Sequence, residues 1–520
     1  GNKDLRYIAP YLPGVAVCLA AGFMAWPRRY AVVRWLTIAL AVVLMACNLF
    51  PIGGAAGQWL TQRLTPNSQV RVTAREEWPH REIVDRVLET SPYQLSTVSV
   101  LPSEPWLNQY NINYEGSLAN FQVYGRNLGR RDRTREQDLP HTHWFVTLTD
   151  PKQEATPLDK LNEWQRTGRL LAVDPNFQLE QTWQVLGDRQ VSLYRRKRLP
   201  IVVKPLPAAP AATEESVRLV RVRVPDVVPP GQPVPVTYVW KGAWEQLRTG
   251  QVLLSWIPQD AELAPRAENR WLHDHSIGFG TLRPGPIQAN QFTQSPSLVD
   301  DDRDWFRVTE RTAMQPAASV EPGTYTLQAE YLTASGQIVP LQVPPVTLQV
   351  AAEAPPVNAP PLDYVSQVRN LAREMPKGIP ALESVFAGLD RPNLYDPIQN
   401  FYVQAETTLT ARLQQEPDNR DYAYGILLSR VLQRKINPSL DILDTIVALD
   451  DRNPYGYAYQ GFVNLAAWRP GPAKRALQPA LALAPDSAEF TGLDAIANLM
   501  QGNLWGAWQR GQAALALTQD

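Results

Sequence analysis

The chain has 520 residues, room for three or four domains of ordinary size, and a formal net charge of −1. No global field therefore favours anionic partners, and the scattered Lys and Arg residues form no basic helix, which argues against nucleic acid. The two cysteines, Cys18 and Cys47, lie near the start, so no disulfide framework or thiolate metal site can form in the rest of the chain.

In chain order, the first predicted elements are two apolar stretches, residues 7–26 and 32–50, separated by Pro27-Arg28-Arg29-Tyr30-Ala31. Each has about the 20 residues needed to cross a bilayer's hydrocarbon core. Neither carries Asp, Glu or Lys, and Arg34 stands at the edge of the second. The expectation is a transmembrane hairpin over residues 1–50, with Arg28 and Arg29 on the cytoplasmic side. That makes an integral membrane protein with the bulk of the chain extracytoplasmic. Opening on Gly1-Asn2-Lys3, the hairpin reads as the last two spans of a larger membrane domain. Lys3 and Arg6 would sit at headgroup level, where two cations can hold a lipid phosphate or simply anchor the helix.

Residues 66–203 alternate helix and strand signals and predict a small α/β domain. Ile83, Val84, Val87 and Leu88 form a helical stripe, and 97–101 and 144–148 are short strands. Thr156-Pro157 is expected to start a helix that Gly168 closes, with a strand following at 170–173. A hairpin around Gly187-Asp188 completes the segment. Proline-rich runs at 204–210 and 354–361 read as semi-rigid spacers. Between them, residues 215–350 switch to a period of two: Val234, Val236, Tyr238 and Trp240 alternate with other residues, as do Tyr325, Leu327, Ala329 and Tyr331. Such strands predict an immunoglobulin-like antiparallel β-sandwich.

Residues 362–520 return to helical spacing with an internal repeat. Pro417, Asp451 and Pro485 stand at intervals of 34 residues, the tetratricopeptide period. Gly461, Ala473 and Ala480, then Ala495, Ala507 and Ala514, occupy the small-residue positions where paired helices cross. The expectation is an all-α repeat array whose concave face holds another domain of the chain or a partner protein.

The sequence contains no phosphate loop, HExxH, nucleophile elbow or paired CxxC. His273-Asp274-His275 and His141-Thr142-His143 have metal-ligand spacing without an identifiable third ligand, so His273 and His275 are metal candidates and no metal is expected as a cofactor. Asp300-Asp301-Asp302 with Asp304 reads as a solvated acidic loop in preference to a calcium site. Trp106, Tyr110, Tyr114 and Tyr124, interleaved with amide side chains, are candidates for contact with an acceptor or sugar ring.

The run Asn2-Lys3-Asp4-Leu5-Arg6-Tyr7-Ile8-Ala9-Pro10-Tyr11-Leu12-Pro13 resembles a signature late in the membrane domain of phospholipid-carrier-dependent glycosyltransferases. These are the family 39 type, which includes protein O-mannosyltransferases and aminoarabinose transferases. Residues 98–109 and 120–126 look like the exterior domain of cyanobacterial members, and 271–275 and 306–314 like their β-domain. The resemblance implies a polyprenyl-phosphate-linked sugar as donor, membrane lipid and lipid-linked sugar as partners, and an extracytoplasmic acceptor. It implies no cofactor. The family's catalytic acid lies in a part of the protein absent from this chain, so no catalytic residue is assigned, and Lys3 and Arg6 map as donor-phosphate contacts. The chain is then expected to be an inactive C-terminal portion of such an enzyme. The alternative is a membrane-tethered tetratricopeptide scaffold for protein–protein interaction without catalysis.

Overall fold

The computed structural model describes residues 12–49, 63, 78–128, 138–150, 158, 161–185, 188–206, 217–260, 262, 269–283, 305–390 and 396–518. The chain divides into two compact units, 1–77 and 78–520. Lys3, Arg6 and the acidic run 300–304 lie outside the described residues.

In the first unit, α1 (Leu12–Met24) and α2 (Ala31–Leu49) flank a short turn of 3-10 helix at Arg28–Tyr30. Among the described residues no helix is long and apolar enough to cross a membrane. The 13 described residues of α1 extend about 20 Å, against a hydrocarbon core of about 30 Å. In α2, Arg34 interrupts the first turn and leaves an uncharged run of about 22 Å at 1.5 Å per residue. The transmembrane hairpin and the integral-membrane placement built on it are therefore corrected. Hydropathy counts apolar letters, whereas crossing requires one long helix without an interrupting charge.

The second unit opens with an α/β layer. Helix α3 (His80–Thr90) buries Ile83, Val84, Val87 and Leu88. Strands β1 (Ser96–Val100), β2 (Val123–Asn127) and β3 (Trp144–Thr149) run parallel, joined from β1 to β2 by α4 (Gln109–Leu118). A reciprocal capping box between Asn108 and Asn111 starts α4. Helix α5 (Glu163–Val173) starts at Asn162, whose side chain forms a capping box with Gln165. It therefore begins later than Thr156-Pro157 predicts and runs through Gly168, and Leu171 is buried on a helix where a strand was expected. The antiparallel hairpin β4 (Phe177–Gln184) and β5 (Gln190–Arg196) completes a sheet of order β2-β1-β3-β5-β4.

Two sheets follow. One, of four strands, has the order β6 (Ile201–Pro205), β13 (Trp305–Met314), β9 (Val234–Ala243), β7 (Arg218–Arg223). The other is built on β10 (Gln251–Pro258) and β14 (Gly323–Leu332). It adds β8 (Val227–Val228), β11 (Trp271–Leu272), β12 (His275–Ser276), β15 (Ile338–Pro340) and β16 (Thr347–Val350). The short helix α6 (Trp244–Thr249) links β9 to β10. Their inner faces share one core containing Tyr238, Trp240, Trp256, Trp271, Phe306 and Tyr325.

The remainder is helical. Helices α7 (Tyr364–Ala372), α8 (Ile379–Asp390) and α9 (Asn400–Gln415) precede three pairs: α10 (Arg420–Leu432) with α11 (Ile436–Leu449), α12 (Pro454–Ala466) with α13 (Pro470–Leu483), and α14 (Ala488–Met500) with α15 (Leu504–Leu517). Leu253 and Leu332 of the sandwich pack directly against Ala411 of α9.

Candidate functional site

The three helix pairs repeat at their caps and turns. Asn419, Asn453 and Ser487 cap α10, α12 and α14 through the backbone N–H of Tyr422, Tyr455 and Phe490. The turns inside the pairs place Arg434, Trp468 and Gly502 in the left-handed region, at φ of 58°, 57° and 78°. Each is followed by the same helix-ending bond: Lys435 N–H to Arg430 O, Arg469 N–H to Asn464 O, and Asn503 N–H to Asn498 O, at 2.8–3.0 Å. Gly461 lets α13 cross closely, because a Cβ there would lie 2.7 Å from Leu477 Cδ2.

The last pair ends differently from the others. Helix α13 buries Ala473, Leu477 and Ala480, whereas α15 buries no side chain despite its apolar sequence LWGAWQRGQAALAL. Trp505 and Trp508 are 66% and 57% exposed and stack on one another, centroids 5.2 Å apart. Beside them, α14 and α15 enclose an open groove of about 540 Å³, floored by Gly492, Gly511 and Ala514 and walled by Trp508 and Leu515. Glu489 is the acidic residue lining it. The pair is held in place by Arg510 Nε, 2.9 Å from the buried Asp494 carboxylate. Association at such a surface would be driven by removing apolar area from water.

A second polar constellation lies at the junction of sandwich and array. Tyr238 Oη–H donates to His273 Nδ1 (3.0 Å), and His273 Nε2–H donates to Asp363 Oδ2 (3.1 Å). His275 donates from Nδ1 to the His273 carbonyl (2.8 Å) and from Nε2 to Glu310 Oε2 (3.2 Å). Glu310 also accepts from Trp240 Nε1 at 2.6 Å and from the Gly278 N–H at 2.5 Å. Asp274 accepts from the Leu254 N–H and from two nitrogens of Arg412, at 2.8–3.0 Å, with Arg369 3.8 Å away.

Burial lowers the pKa of His273, outweighing Asp363, and its bonding pattern is that of a neutral ring. For His275 burial also acts downward, but Glu310 overcomes it and raises the pKa, consistent with a ring that donates from both nitrogens. The rings are 4.9 Å apart, so a single positive charge on the pair avoids repulsion between two. Asp363 stays ionised: burial opposes this, but His273 and the Ser366 N–H hold its carboxyl below the usual range.

All four imidazole nitrogens of His273 and His275 thus have protein partners. Among the described residues no group of three or more His, Cys, Asp and Glu is arranged to hold a metal. The arrangement joins β-strands to α7 and α9. Its other members were missed in the sequence because Glu310, Asp363 and Arg412 lie 35, 90 and 138 positions from the histidine or aspartate they bind.

The aromatic candidates are spread over α4 and β2. Trp106 is half-buried against the α/β core, and His80 Nε2 donates to its carbonyl at 2.7 Å. Tyr110 and Tyr114 stand exposed on α4, while Arg126 lies over the Tyr124 ring at 5.7 Å. The neighbouring amides serve the backbone: Asn113 accepts from the Gly125 N–H and Gln109 from the Asn127 N–H. His141 stacks on Tyr364 at 5.8 Å, and burial lowers His141 to about 4 and His143 to about 3.

No family model matches the chain, and no curated protein does. Among solved structures, a crystal structure of MamA matches over 30% of this chain and 88% of that one, at 14% identity and a TM-score of 0.23. MamA 41-end from Desulfovibrio magneticus RS-1 matches over 30% and 96%, at 16% identity and a TM-score of 0.22. Scores this low carry no argument, and the assignment of a repeat array rests on the internal register of α10–α15. The membrane part of the glycosyltransferase reading is corrected, because no described helix is long and apolar enough to cross a membrane, and no family or curated match supports that family or its lipid-linked partners.

Proposed function

We propose that this chain is an interaction scaffold, in which the sandwich and α/β layer form a mount and the repeat array docks a partner protein at its last helix pair. The observation that carries the reading is the apolar face of α15, with Trp505 and Trp508 stacked in solvent beside the α14/α15 groove. Contiguous exposed apolar surface of this kind marks association sites, and tryptophan is the side chain most enriched among residues that dominate binding energy. The buried Asp274–Arg412 pair supports the mount, since it fixes α9 to the sandwich edge.

The full chain carrying Trp505→Ala and Trp508→Ala tests this reading. The unmodified chain should retain a stoichiometric protein partner through purification from its own cells, and the double variant should lose it with an unchanged circular dichroism spectrum. Equal retention by both proteins would overturn the proposal.

A further inference from the structure

The groove is the 34-residue register copy of a seat that the chain already fills. In the preceding repeat, Phe490 of α14 packs on Ala458, Ala480, Leu481, Ala484 and Tyr455, meeting the Tyr455 ring edge-on at 5.3 Å. Moving those five positions forward by one repeat gives Gly492, Ala514, Leu515, Thr518 and Glu489, and all five line the groove. The rest of the seat repeats too. Ala497 and Leu493 pack on Leu465 and Ala473, whose copies are the exposed Leu499 and the part-covered Ala507.

We infer that the groove receives an amphipathic α-helix from a partner protein, laid down as α14 lies on α12 and α13. This deepens the scaffold reading and rests on it. The helix presents a large aromatic in the place of Phe490, a leucine-sized side chain three residues on and a small residue seven on, the spacing of Phe490, Leu493 and Ala497. Its charge is also specified. Within the chain, the residue before the aromatic, Glu489, acts electrostatically on Tyr455. In the open copy Glu489 itself stands in the place of Tyr455, so the incoming residue before the aromatic faces a carboxylate and is basic. The positive end of the incoming helix, with its unpaired N–H groups, is complementary to the same carboxylate.

The chain's own α14 sequence supplies the probe. A fluorescent peptide of residues 486–502 with a lysine in the place of its Glu489 is titrated into the full chain and followed by anisotropy. Saturable binding is expected with a midpoint of about 10–100 μM, because a short helix must order as it binds. Replacing the peptide's phenylalanine by alanine should weaken binding about tenfold, as should Ala514→Arg in the protein. Restoring glutamate in the peptide should weaken it about threefold, and that difference should vanish on a Glu489→Gln protein. A Trp468→Ala protein, altered on the turn between α12 and α13, should bind normally.

Absence of saturation up to about 1 mM, or equal binding by the Ala514→Arg protein, would overturn the inference. A concentration-dependent dimer of the chain that Ala514→Arg dissolves would overturn it in favour of a second copy. If the peptide fails while partner retention still depends on Trp505 and Trp508, the inference falls and the scaffold reading stands.

Discussion

Asp274 binds two nitrogens of Arg412 and the Leu254 N–H with its side chain fully enclosed, and Arg369 lies 3.8 Å away. Asp274→Asn removes the charge that both guanidinium groups face and leaves them buried without compensation. The expected cost is about 3–5 kcal/mol, read as a fall in the urea midpoint. The histidines predict a pH dependence of definite sign. His141, His143 and His273 all have folded pKa values below 6.5. As pH falls through 6.5 the unfolded chain takes up these protons before the folded one does, so stability drops toward about pH 4. His275 acts oppositely: its raised pKa stabilises the fold below 6.5, and that contribution is lost as pH rises through the folded value. Three groups outweigh one, so the urea midpoint should be lower at pH 5 than at pH 7.5, and His143→Gln should reduce the difference. A midpoint that does not fall toward pH 5 would contradict these environments. The two HxH spacings mark histidines that the fold surrounds with protein. The sequence shows which side chains are polar and neighbouring, but it does not show that a glutamate of β13 and an aspartate at the start of α7 arrive at the two Nε2 atoms of His275 and His273, with Tyr238 and the His273 carbonyl at the two Nδ1 atoms.

Elements with a local signature were the legible ones. The alternation of Val234, Val236, Tyr238 and Trp240 is the burial pattern of β9 itself, because successive side chains on a strand leave opposite faces. The interval of 34 between Pro417, Asp451 and Pro485 marks the turn before each first helix of a pair. Helix α5 was misplaced because Thr156-Pro157 is a strong start signal in isolation, while the Asn162–Gln165 box that the chain uses carries no proline to advertise it. Two substitutions test the repeat geometry. Gly461→Val should destabilise the array by about 2 kcal/mol or more, since its side chain meets Leu477 where two helices cross. Trp468→Gly should stabilise it by about 0.5–1 kcal/mol, because Trp468 is 82% exposed and held at a positive φ that glycine adopts without strain. Thermal unfolding of each variant separates these opposite signs.

At the scale of the molecule, chain order and packing disagree in an instructive way. Hydropathy pointed to a membrane hairpin because it registers composition, whereas α1 ends at Met24 and α2 carries Arg34 in its first turn, features that composition averages away. In the second unit the sandwich and array share a buried ion pair and an apolar contact at Ala411, so residues 78–520 should unfold in one calorimetric transition. Arg412→Met should split it, with the array melting first; a single transition in that variant would show that the remaining contacts, among them His273–Asp363 and the apolar contact at Ala411, suffice to couple the two. Strand β6 has a further consequence. It leaves the α/β layer directly after β5, yet its residues 201–205 hydrogen-bond to 306–310 of β13. The α/β layer is therefore tied to the sandwich by a ladder of backbone hydrogen bonds that begins within a few residues of its last strand, so tension on that layer reaches β13 through β6.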